Sequence, residues 1–175
     1  MQLQVVFKGS VQGRRAVLGA GIATALVRVP DALATDPKAL FTRQGEVRHT
    51  DEEWKSILSP SAYRVLRQEG TELPFSSPLN NEKREGVFKC AGCGSPVFVS
   101  TTKYNSGTGW PSFYQALPGT TDELPDLSIP FLPRTEVRCH VCQGHLGHVF
   151  DDGPRPTGLR YCMNGAALTF EPKAI

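Results

Sequence analysis

From residue 86 onward, short runs rich in Val, Phe, Tyr and Leu alternate with Gly and Pro, at 87–90, 96–100, 135–139, 145–150, 159–164 and 167–170. Runs of this length between turn formers predict antiparallel strands. Ahead of them the apolar period lengthens. Trp54, Ile57 and Leu58, then Ala62, Val65 and Leu66, recur at helical spacing. Thr50 and Glu53 form a capping box with Asp51 and Glu52 at the positive helix end, and Ser59-Pro60 opens a second helix that Gly70 stops. The pattern predicts a mainly β (α+β) fold with a short N-terminal helical arm packed on a sheet. Residues 117–133 hold four prolines and predict a long surface loop.

The first 34 residues do not share this rhythm. Arg14-Arg15 precedes an apolar run over 16–27, and Ala32-Leu33-Ala34 follows Pro30. Twelve residues are too few to cross a ~30 Å bilayer at about 1.5 Å per residue, but they suit a signal-peptide core. Paired arginines before a Gly/Ala-rich core resemble a twin-arginine export signal. The expected organisation is a cleavable leader over 1–34, a flexible linker over 35–49 and one domain over 50–175. Bacterial periplasm and thylakoid lumen are the compartments expected, with a chloroplast or mitochondrial transit peptide as the alternative. No stable membrane insertion of the mature domain is expected.

Composition narrows the function. Gly 17 and Pro 14 imply many turns, and a hydrophobic share of 39% is enough for a core. Lys8, Arg14, Arg15 and Arg28 against Asp31 give +3 in residues 1–34, which leaves −1 for the rest of a chain whose total is +2. A nucleic-acid partner is disfavoured, because such proteins concentrate positive charge in the folded part.

Five cysteines cannot all pair. Four of them form two CxxC knuckles, Cys90/Cys93 and Cys139/Cys142, separated by 45 residues, with a glycine just beyond each to relax the turn. Two knuckles supply the four thiolates that tetrahedral Zn2+ prefers, and a site closed by four protein ligands is structural. One zinc ion is expected there.

Cys162 is then free for chemistry. In a strand, Arg160, Cys162 and Asn164 share one face, and a neighbouring cation favours the thiolate. Lowering a thiol pKa from ~8.5 to ~6 raises the thiolate fraction about 30-fold. Each thiolate then becomes ~13-fold less nucleophilic, so the net gain is about twofold. A proton-transfer partner is needed, and His145 and His148 offer one. Three apart, they would face opposite ways in an ideal strand. Gly147 between them predicts a bulge that turns both toward the thiol. The glycine-rich turn 105–113 carries Trp110, an aromatic face suited to a thioether or S-methyl group.

Taken together, SGxGWPSF, the two CxxC pairs, GHLGHVFDDGP and RYCxN occur in this order over roughly 54–170. The chain thereby resembles the B-type methionine sulfoxide reductases, which reduce the R epimer of the sulfoxide. The resemblance implies two antiparallel β-sheets with zinc at the end opposite the active site. It implies Cys162 as nucleophile, with His145, His148 and Asn164 as the polar site around the sulfoxide. Trp110 becomes the wall for the ε-methyl, Arg160 the flanking basic residue and Phe150 a pocket lining. Many members carry a resolving cysteine in the SGxGW turn; here that place is Thr108.

The expected reaction takes methionine R-sulfoxide, free or in proteins, to methionine through a Cys162 sulfenic acid. An external thiol must then restore the cysteine: thioredoxin, or glutaredoxin with glutathione. A monomer is expected. The rival readings are a zinc-ribbon protein-interaction module and a thiol redox sensor.

Overall fold

The computed structural model describes residues 46–174, so the expected leader and most of the expected linker lie outside the described residues. Of that linker, residues 46–49 are described, and there the Val47 N–H donates to the Val141 carbonyl at 2.9 Å.

Among the described residues two helices come first, α1 (Asp51–Ile57) and α2 (Pro60–Gln68). Both expected N-caps are present: Thr50 and Glu53 complete the capping box, and the Ser59 side chain accepts from the Ala62 N–H. The end of α2 differs from expectation. Glu69, not Gly70, takes the left-handed conformation at φ 55°. Gly70 is needed because a Cβ there would lie 2.8 Å from the Arg64 carbonyl oxygen. Ala62, Val65 and Leu66 are buried, and α2 packs on the strand His145–Phe150.

Nine strands follow within the described residues: β1 (Gly86–Cys90), β2 (Pro96–Val99), β3 (Lys103–Tyr104), β4 (Ser112–Phe113), β5 (Thr121–Asp126), β6 (Arg134–Cys139), β7 (His145–Phe150), β8 (Arg160–Met163) and β9 (Leu168–Pro172). They form two antiparallel sheets, β2-β1-β9 and β3-β4-β8-β7-β6-β5. Aromatic rings hold the sheets together. Phe98 stacks on Phe113 at 4.3 Å, Phe88 meets Phe113 edge-on at 5.0 Å, and Tyr161 lies 5.7 Å from Phe98. Tyr161 and Met163 therefore face the core, while Arg160 and Cys162 face outward.

The stretch 117–133 is not all loop, because β5 lies within it and pairs with β6 from Thr121↔Cys139 to Asp126↔Arg134. Its Pro125 is tolerated because β5 is an edge strand, where one row of N–H groups needs no partner.

Candidate active site and metal centre

Strand register gathers the polar side chains. Cys162 on β8 lies opposite Ser112 on β4 and His148 on β7, and His148 lies opposite Glu136 on β6. The row Ser112–Cys162–His148–Glu136 therefore crosses one face of the six-stranded sheet. His145 joins it through a bulge. Val137 pairs with Gly147 but Arg138 pairs with His145, so Leu146 is the extra residue. The two imidazole rings meet edge-on, centroids 5.3 Å apart. Gly147 has a second duty: a Cβ there would lie 2.2 Å from the Cys162 carbonyl oxygen.

A cavity of about 140 Å3 opens over this row, lined by Thr71, Trp110, Arg134, Gly147, His148, Phe150, Cys162 and Asn164. Of the residues expected from sequence, Cys162, His148, Asn164, Trp110 and Phe150 line it directly. His145 and Arg160 stand behind that wall. The Arg160 guanidinium stacks over Phe150 at 4.3 Å and holds Asp152 through two bonds of 2.7 and 2.8 Å.

The thiol itself departs from expectation. Burial pushes Cys162 above the ordinary thiol range, outweighing the Thr108 hydroxyl 3.9 Å from Sγ and the Arg160 charge, which both act downward. Arg160 spends much of its influence on Asp152, whose own charge opposes the thiolate. Burial likewise holds His148 below the usual imidazole value, against the opposing pull of Asp126, which lies 2.8 Å from Nε2.

Four partners were not legible in the sequence. Asp126 anchors His148 and Arg134. Buried Glu136 accepts from His145 Nδ1 at 2.7 Å and from Arg138 Nε at 2.8 Å. Glu72 ties the cavity wall together: its carbonyl accepts from Trp110 Nε1, its N–H donates to Asn164 Oδ1, and its carboxylate accepts from the Gly165 and Ala166 N–H groups. Arg134 lines the cavity itself. Asp126 lies inside the stretch expected to be loop. Glu72 works across more than 90 residues of chain, so local pattern carries no trace of it.

At the other end of β6, Cys90, Cys93, Cys139 and Cys142 bring their sulfurs within 4.8 Å of one another. The Cys90–Cys142 and Cys93–Cys139 separations are 3.6 and 3.5 Å. A tetrahedron with metal–sulfur bonds of about 2.3 Å has edges of about 3.8 Å, so the donor set fits a metal ion. In the first knuckle Gly94 takes positive φ as expected, but in the second that position is Gln143, at φ 57°. The Gln143 side chain is held by Asp122, and Gly144 makes room for Leu66, whose Cδ2 would lie 2.8 Å from any Cβ there. Cys139 ends the strand that Arg134 begins. Five residues at about 3.3 Å each put the cysteine cluster and the cavity roughly 16 Å apart along β6.

Comparison with known proteins gives this arrangement its class. The SelR domain matches residues 58–172, and the chain belongs to the SelR-domain family. Relatives within that class are more particular. The peptide methionine sulfoxide reductase MsrB of Leptospira interrogans is 54% identical over 127 residues, covering 72% of this chain and 96% of that protein. The MsrB of Methanosarcina mazei is 50% identical over 127 residues, 73% of this chain and 91% of that protein. The chloroplastic peptide methionine sulfoxide reductase B1 of Arabidopsis thaliana is 55% identical over 119 residues, 68% of this chain and 59% of that protein.

Proposed function

We propose that this protein reduces methionine R-sulfoxide to methionine, with Cys162 as the nucleophile. One observation carries the reading: Cys162 stands opposite His148 in the sheet and opens into a cavity walled by Trp110 and Phe150. The names of the family relatives point the same way.

The Trp110 and Phe150 faces receive the S-methyl end of the substrate, a contact worth ~0.3–1.5 kcal/mol. Asn164, fixed by Glu72 and by the Leu146 carbonyl, holds the shape of the polar side. Cys162 sulfur attacks the sulfoxide sulfur while a proton reaches the sulfoxide oxygen through the histidine pair. The net step converts one thiol and one sulfoxide into a sulfenic acid and a thioether, with no atom left over. Two external thiols then return Cys162 to the thiol, releasing water and their own disulfide. Thioredoxin, or glutathione with glutaredoxin, fits that role, because a hydroxyl, that of Thr108, stands 3.9 Å from the sulfur and the other cysteines cluster together elsewhere.

Cys90, Cys93, Cys139 and Cys142 would hold one Zn2+, which would supply structural cross-linking. The leader reading over 1–34 is tested by sequencing the N-terminus of the mature protein, with Thr35 expected first. Among the described residues no helix is long and apolar enough to cross a membrane.

Separate assays with the R and S epimers and dithiothreitol test the main proposal. Consumption of R alone is expected, with C162S inactive. Mass spectrometry after exposure to sulfoxide should find one added oxygen and no internal disulfide. Full turnover by C162S would overturn the reading, and a preference for peroxide over sulfoxide would favour a redox sensor.

A further inference from the structure

His145 is 2% exposed, and its Nε2 is one of three buried side-chain polar atoms without a hydrogen-bond partner among the described residues. Its other nitrogen is fully engaged. Nδ1 lies 2.7 Å from Glu136 Oε1, while Arg138 donates to Glu136 Oε2 from Nε at 2.8 Å. An ionised carboxylate offers only acceptor sites, so the proton between Glu136 and a neutral His145 belongs to Nδ1. The lone pair is then left on Nε2, in a buried place beside His148, whose own ring lines the cavity.

We propose that Glu136 is a positioning residue of this site: it fixes His145 in the Nδ1-protonated tautomer and so makes the buried Nε2 a hydrogen-bond acceptor. Its catalytic consequence rests on the reductase reading above. A neutral His145 held this way cannot supply the proton that ends on the sulfoxide oxygen. Asp126 treats His148 in the parallel manner, taking Nε2 at 2.8 Å and leaving Nδ1 as the acceptor of the neutral ring. In its neutral form each ring thus presents one acceptor nitrogen, Nε2 of His145 and Nδ1 of His148. The proton delivered to the sulfoxide oxygen begins on the Cys162 thiol, leaves as its sulfur attacks, and crosses by way of an acceptor imidazole. The sulfur–oxygen bond of the substrate breaks, Cys162 gains the oxygen, and no proton is drawn from solvent.

The variant E136Q separates this role from simple packing. Arg138 has donors only, so the glutamine must turn its amide oxygen to Arg138 and its NH2 to His145 Nδ1. That reverses the tautomer while keeping the side-chain shape. Long-range 15N–1H spectra of the zinc-loaded protein, recorded without substrate, should show a pyrrole-type Nδ1 and a pyridine-type Nε2 at His145. E136Q should exchange the two signatures. With the R-sulfoxide, its kcat should fall about a hundredfold, the lower end for positioned proton-transfer groups, at nearly unchanged KM. E136D should keep the wild-type tautomer and recover most of the rate. A pyridine-type Nδ1 in the wild type overturns the proposal, as does an exchanged tautomer with unchanged kcat. If E136Q does not fold, the wild-type spectrum together with the E136D rate decides. Wild-type protein that leaves the R-sulfoxide untouched refutes the reductase reading instead, whatever the spectrum shows.

Discussion

At the scale of single residues, the surroundings of Cys162, the proposed nucleophile, hold its sulfur as the thiol. Arg160 was expected to favour the thiolate, and its effect does act in that direction, yet burial is stronger. Sequence shows which charges are neighbours but not how much water has been removed. The folded pKa of Cys162 lies above the ordinary value, so its thiolate fraction, and its alkylation by iodoacetamide, should rise only as pH climbs above about 8.5. R160A should move that rise further upward, since it removes a cation and frees Asp152. A downward move would contradict the assignment of Arg160. The opposite sign applies to His148. Its folded pKa lies below the unfolded ~6.5, so the unfolded state takes up the proton first. Stability carried by this group is present above that value and is lost as pH falls through the depressed folded value. Urea midpoints at pH 7 and 5 should show the loss, and H148N should reduce it.

The elements decide whether those residues meet. Strand β7 was legible in full, because its apolar run is bounded by glycine and the knuckle, and its bulge was foreshadowed by Gly147. Strand β5 was not. Asp122, Glu123 and Asp126 make it polar, and Pro125 argues against any strand with two neighbours. Only its edge position reconciles these, and edge position is a property of the sheet rather than of the segment. The two-residue strands β3 and β4 are too short for any periodicity to announce. Gly147→Ala tests the closest backbone approach in the site. Its methyl would collide with the Cys162 carbonyl, so β7 and β8 must separate. A loss of about 2–4 kcal/mol is expected from denaturant unfolding, with kcat reduced because the Cys162–His148 pair is displaced. The helix arm is cheaper to disturb. T50A should cost about 1 kcal/mol through the lost cap and leave kcat unchanged.

For the whole molecule, the four-cysteine cluster matters most, since Cys90 closes a strand of the small sheet and Cys139 a strand of the large one. Structural zinc in finger peptides contributes ~10–16 kcal/mol, as much as the ~5–15 kcal/mol of a typical domain. Strong chelation should therefore abolish the cooperative thermal transition, and zinc should restore it. An unchanged transition in metal-free protein would refute the structural role. The spacing of the two CxxC knuckles made this centre readable from sequence, whereas the carboxylates around the histidines became visible only once distant strands were side by side. The same strand order governs how the molecule comes into being. Strand β8 is inserted between β4 and β7, so it enters a gap whose two sides are already synthesised. A ribosome delivers the sulfurs in the order 90, 93, 139, 142 and finally 162. The quartet can be sequestered before the fifth emerges, which spares the nascent chain a choice among wrong sulfur–sulfur bonds.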